Sequence, residues 1–358
     1  MYESESGSCL DWRVSNALAR GPDADVAGLA RNLAALAARD IDRFNIIESR
    51  LAYYGQLSVL VEATRLAWPD VESSSDIVPW GIDEFAARAV AYTILDHVAR
   101  TAEPAADERA LLDRLAPFME IDPESLARHL AHLTGQAGRR WTLREFESGP
   151  TRRFRKDDDL EEDEAAANAD RDIHELTVEF VGHLYRSARV PYTKGDLARR
   201  ELCRFLVQRQ AGKLERRESM MEAFGRRGRG KPKPAGYTRH DHPLIPDVDR
   251  LDQYLAGMVD FIFPQPYRAV ALLEIVPSWL GFLLSRGLTD ADSADAAISR
   301  LSPLAGQLRR LLDADPDPEL RLALDRWPEF HEGNPTPRSR VRSSAEGRSK
   351  GPVQHPRQ

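Results

Sequence analysis

The residues with the most ligand-like spacing are His240, Asp241 and His242, which follow Tyr237 and Arg239. In an extended segment, imidazoles at i and i+2 turn to the same side and can share a zinc or iron ion. A third ligand would have to come from elsewhere, and His174, His183 and Glu179 on an earlier helical segment are the available donors. Without that partner, the plainer account is a polar loop leading into Pro243 and Pro246. A zinc- or iron-dependent enzyme working through His240 and His242 is therefore the alternative expectation, and a protein without cofactor the first one.

The remaining constellations are weaker. Gly225 to Lys231 reads GRRGRGK, formally a G-x-x-x-x-G-K match. A phosphate-binding loop needs a strand before it, a helix after it and a hydroxyl after the lysine. Here a helical pattern precedes it and Pro232 takes the hydroxyl position, so a flexible basic loop is the better reading. His129 and His132 share one side of a helix but stand among Leu126, Leu130 and Leu133, which suits partly buried, hydrogen-bonded histidines. His97, beside Asp96, reads the same way. The stretch TKGDLARRELCRFL, Thr193 to Leu206, has a passing likeness to a helix-turn-helix. It lacks the glycine turn and second helix at the required offset. Arg199, Arg200 and Arg204 could form a basic stripe there, diluted by Asp196 and Glu201. Cys203 lies on its apolar face, the usual setting of an inert thiol. Asp83 and Glu84 are a carboxylate pair that sequence alone cannot place in a cleft. No G-x-S-x-G, H-E-x-x-H, kinase signature or post-strand G-x-G-x-x-G is present.

All of these residues sit on, or between, segments with helical periodicity. Residues 25–39 (DVAGLARNLAALAAR) form a strong helix pattern. Residues 41–68 continue it up to Pro69, which is expected to stop it. Further helices are predicted over 82–100, 106–119 and from Asp122, where Asp122-Pro123-Glu124 spells an N-cap, a first-turn proline and a favourable charge. Thr142 and Glu145 have capping-box spacing. Residues 149–170 (GPTRRFRKDDDLEEDEAAANAD) carry a basic and then an acidic run with few apolar residues, and read as a charged linker. Helical patterns resume over 173–187, from Thr193 to Gln210 with Thr193 as cap, and over 214–224. The most apolar stretch is 251–288, broken at Pro264 and Pro266 and closing on Gly287. Thr289 is expected to cap the next helix, and a short last one ends at Trp327-Pro328.

The expected fold is therefore all-α, an irregular and repeat-like array of antiparallel helix pairs. Its parts are an N-terminal helical region (1–148), the charged linker (149–170), a middle helical region (171–224), a basic Gly/Pro-rich loop (225–246), a C-terminal helical core (247–330) and a disordered basic tail (331–358).

Composition narrows the function classes. Lys and Arg number 50 against 57 Asp and Glu, a net charge of −7. Residues 331–358 hold six Lys/Arg and two Glu, which leaves −11 on residues 1–330. A body that acidic does not suit nucleic acid, although the basic loop and tail keep that class as a further alternative. With two cysteines, neither a disulfide framework nor a thiolate zinc site is expected. No secretory signal or sufficiently long apolar run is seen, so a cytoplasmic protein without membrane contact is expected. The leading functional expectation is a non-catalytic protein-interaction or scaffold protein. Phe261, Phe263, Tyr267 and Trp279, around the Pro264/Pro266 break, are its candidate partner anchors, and filling the core is their plainer role.

Overall fold

The computed structural model describes residues 3–20, 25–147, 160–214, 242–259 and 264–329, apart from 102, 105, 106, 314 and 316. Thirteen α-helices run through these residues, with no strand among them, so the fold is all-α. In chain order they are α1 (Glu3–Arg20), α2 (Val26–Arg39), α3 (Ile41–Tyr53), α4 (Leu57–Glu72), α5 (Pro79–Arg100), α6 (Glu108–Leu115) and α7 (Pro123–Thr134). A 3₁₀ turn (Leu143–Phe146) follows, then α8 (Leu160–Ala188), α9 (Tyr192–Gln210), α10 (Val248–Met258), α11 (Pro266–Ser285), α12 (Ala291–Leu311) and α13 (Pro318–Asp325).

Several ends follow directly from local chemistry. The Asp122 carboxylate accepts the amide of Ser125 at 2.9 Å, and Gly135 closes α7 at φ +76°. That left-handed conformation is open to glycine at little cost. The capping box at the 3₁₀ turn is present, with Glu145 accepting from the Thr142 amide at 2.7 Å. Gly55, at φ +77°, breaks the 41–68 pattern into α3 and α4.

Other ends differ from the expectation. Pro69 does not stop α4, because it sits in the final turn, where one missing N–H costs a single ladder bond. The α12 cap is Asp290, whose carboxylate accepts from Ser293 at 2.7 Å, rather than Thr289. Thr193 does not cap α9 either; its hydroxyl donates to the Ala52 carbonyl of α3 at 2.8 Å. The charged stretch is no linker throughout, since α8 already begins at Leu160. Residues 149–159, the 214–224 helix beyond Leu214, the basic loop up to Asp241 and the 331–358 tail lie outside the described residues.

One continuous cluster of buried apolar side chains extends from Leu10 to Leu324. Helix α11 is buried on nearly every side, with Trp279, Phe282 and Ile275 fully enclosed. It packs on α3, α8, α9, α10, α12 and α13. Helix α9 is the second hub and meets α3, α5, α8, α10 and α11. Its composition is different: alongside Leu202 and Phe205 it buries Lys194, Asp196, Arg199 and Glu201. A helix with charge on several faces is ordinarily solvated. Here those charges turn inward, and they define the site.

Candidate functional site

Residues 196, 199, 200 and 204 recur at i+3 and i+4, so α9 presents one ridge of charge toward α5 and α8. Arg199 Nε donates to Asp196 Oδ1 at 2.8 Å, and Arg200 Nε lies 3.1 Å from the other oxygen. Arg200 Nη2 continues to Glu48 Oε1 at 3.2 Å and to the Tyr92 hydroxyl at 3.1 Å. Tyr92 in turn donates to Glu48. Glu48, on α3, is fully buried, and Arg88 and Arg268 each place a guanidinium nitrogen 3.8 Å from its second oxygen. Glu201 receives Arg268 at 3.5 Å, Arg204 at 3.3 Å and the Tyr254 hydroxyl at 2.9 Å.

Four helices thus bring their charges to a common floor, and α10 adds the Tyr254 hydroxyl. Removing ions from water is costly, so each must be held by an opposite charge. Burial works to raise the Asp196 carboxyl, but Arg199 and Arg200 outweigh it and hold the group below the usual carboxylate range. Burial pulls the Arg88 guanidinium down to about 10, partly offset by Glu48, which still leaves it cationic at neutral pH. For Arg200, burial acts in the lowering direction, and Asp196 and Glu48 reverse it.

Above this floor lies a cavity of about 570 Å³ between α5, α7, α8 and α9. Seven arginines and four carboxylates line it, so guanidinium is in excess. Val90, Ala91, Ile94 and Leu95 of α5, with Leu126 of α7 and Val178 of α8, form an apolar wall. Arg128, Arg171 and Arg204 are exposed at its rim.

Two imidazoles face each other across one side, His129 of α7 and His174 of α8, with ring centroids 6.1 Å apart. Arg199 Nη1 is 3.5 Å from His174 Nδ1. A guanidinium only donates, so Nδ1 accepts and the ring proton sits on Nε2. His174 lines the cavity and is solvent-exposed. Burial, then the His174 and Arg199 charges, pull His129 down to about 3. Burial and Arg199 pull His174 down to about 4. Both rings are neutral at neutral pH. His132 is buried and puts Nε2 3.3 Å from Glu175, which is itself fixed by Arg139 at 2.7 Å. That group braces α7 against α8.

The sequence-derived candidates fall elsewhere. His240 lies outside the described residues, as do Phe261, Phe263 and the GRRGRGK segment. His242 has no ring nitrogen left for a metal. Nδ1 accepts from the amides of Leu244 and Ile245 at 3.2 Å each, and Nε2 donates to the Leu288 carbonyl at 2.9 Å. Among the described residues, no group of three or more His, Cys, Asp or Glu could hold a metal ion. Trp279 is fully buried and donates its indole N–H to the Leu244 carbonyl at 2.8 Å. Tyr267 is buried and donates to Asp317 at 2.8 Å. Both therefore take the core role rather than that of exposed anchors.

The His129–His132 spacing does bring both rings to one helix side, where one lines the cavity and the other braces it. His97 is buried and bonded to the Pro104 carbonyl at 2.9 Å. Asp83 is exposed, while Glu84 lies 3.9 Å from Arg204 at the cavity, so they form no dyad. Arg199 and Arg200 point into the protein, which removes the basic stripe. Burial raises the Cys203 thiol, which keeps it protonated and inert.

Sequence reasoning missed Glu48, Arg88 and Arg268 altogether. The one available signal was α9 itself, whose charges recur on too many faces for a surface helix.

Comparison with protein-family models, with curated proteins and with solved structures gave no significant match.

Proposed function

We propose that this protein binds a small organic anion in the cavity between α5, α7, α8 and α9. The observation that carries the reading is the excess of guanidinium over carboxylate around an open, partly apolar volume. Each buried arginine already has a carboxylate partner in Glu48, Asp196 or Glu201, so the excess of positive charge lies at the rim, with Arg128, Arg171 and Arg204. An anion entering the cavity would supply the missing countercharge, and planar guanidiniums match carboxylate, sulfonate or phosphate oxygens in pairs. The exposed Arg128, Arg171 and Arg204 at the rim favour anion entry electrostatically. The neutral His129 and His174 add hydrogen-bonding capacity without adding charge.

Thermal melting of the full chain tests this with acetate, methanesulfonate and methyl phosphate at constant ionic strength. A ligand that binds the native state raises the melting temperature in a saturable way. Arg204→Gln, at the cavity rim, is expected to weaken that effect about tenfold, as for the loss of one charged hydrogen bond. Absence of saturable stabilisation by any of the three anions overturns the reading. So does binding that is identical in Arg204→Gln and in the Arg171→Gln/Arg204→Gln double variant.

A further inference from the structure

The cavity lining is uneven in polarity, although α5 also adds Glu84 and Arg88 nearer its start. Every residue that α9 contributes to it is charged: Asp196, Arg199, Arg200, Glu201 and Arg204. Everything contributed by residues 90–95 of α5, and by 119–121 before α7, is apolar: Val90, Ala91, Ile94, Leu95, Met119 and Ile121. A site for a simple inorganic anion has no use for such a wall. It would leave apolar surface facing water beside charges that gain nothing from it. A site for a neutral apolar molecule would not carry the arginines. We infer that the ligand is amphipathic, with one anionic head against the arginines of α9 and an apolar body along α5.

Arg88 and Arg268 are buried at 3% and 6%, and Val90, Ile94 and Leu95 of the wall are buried as well, while Arg204 and Met119 both reach the surface. Head and body therefore lie side by side within one volume of about 570 Å³, which admits a single molecule, so the ligand is a free monomer and not a membrane surface. This inference rests on the anion-binding reading above, and the two fail differently.

The test uses the n-alkanesulfonates from methane- to decanesulfonate, titrated calorimetrically into the full chain well below their micelle concentrations. The sulfonate does not titrate, so only the tail varies. Each methylene buried is worth about a fourfold gain in affinity. The dissociation constant is expected to fall by about that factor per carbon and then level off when the wall is covered. Ala91→Phe is expected to move the plateau to shorter chains. If Ala91→Phe does not fold, Met119→Ala on the exposed rim serves instead, with a severalfold loss confined to the longest chains.

Methanesulfonate binding with no dependence on length overturns the amphipathic inference and leaves the anion reading standing. No binding by any member overturns both. Octanol binding as tightly as octanesulfonate overturns the charged head. Binding seen only with phosphatidylglycerol vesicles overturns the free-monomer ligand in favour of a membrane.

Discussion

At the scale of single residues, the most informative groups are the two cavity imidazoles. An unfolded histidine titrates near 6.5, whereas His129 is pulled down to about 3 and His174 to about 4. Asp196 opposes the shift, and burial and Arg199 prevail over it. Between about pH 4 and 6.5 the unfolded chain therefore binds more protons here than the folded one. Stability is then expected to rise with pH across that window and to fall as pH drops through it. The check is the urea midpoint from pH 4 to 8 for wild type and for His129→Gln and His174→Gln. Each variant should show a shallower fall over pH 4–6.5 than wild type. An unchanged slope in both would mean that neither ring is held neutral.

His242 shows why that neutrality could not be read from the sequence. The His240/His242 spacing was legible, but the partner that decides the ring's role is the Leu288 carbonyl, 46 residues further on. Arg209 helps to hold the same loop through the His242 carbonyl at 3.2 Å. Local spacing reports which side chains share a face, and not which distant backbone groups will occupy them.

At the scale of elements, the caps and apolar faces were legible because they depend on neighbours three or four residues away. Asp122, Glu145 and Gly287 act where their types and spacing place them. Errors arose where a competing local signal was equally good, as with Thr289 beside Asp290. They also arose where a tertiary partner took the side chain, as Ala52 takes Thr193. The α7–α8 pair depends on a feature that no local rule shows. A Cβ built on Gly182 would lie 1.8 Å from the Leu133 carbonyl oxygen, a backbone atom with nowhere to go. The same carbonyl accepts from Arg186 at 3.1 Å. Gly182→Ala should push α7 off α8, at a cost of about 3 kcal/mol, the upper range for overpacking. Chemical denaturation measures the stability. Because α7 carries His129 and Leu126, methanesulfonate affinity should fall as well. A stable Gly182→Ala variant with unchanged affinity would mean that the helices approach less closely than this.

At the scale of the whole molecule, the first and last parts of the described chain are joined through polar contacts as well as the shared core. Glu48 and Arg200 stand 152 residues apart in sequence and meet at 3.2 Å, which is why the cavity floor was invisible to any reading by segments. The same holds for Asp317 at the start of α13. Its carboxylate accepts from Tyr54 of α3 at 2.7 Å and from Tyr267 of α11 at 2.8 Å, with Arg50 at 4.0 Å. Burial and then this carboxylate raise the Tyr54 phenol well above its ordinary range, so it remains a donor throughout.

Replacing Asp317 with Ala would strand two largely buried hydroxyls and one helix cap. At about 1–3 kcal/mol for each unsatisfied group and about 1 for the cap, a loss of about 4 kcal/mol is expected. If α13 were a separate unit, the variant would shed it at low denaturant and leave the rest unchanged. Because one core runs from Leu10 to Leu324, the loss should instead move the entire transition. Tryptophan fluorescence and far-ultraviolet circular dichroism should then give the same lowered midpoint in urea. Two separated transitions in Asp317→Ala, with the second at the wild-type midpoint, would show that the helices around α9 hold together without α13.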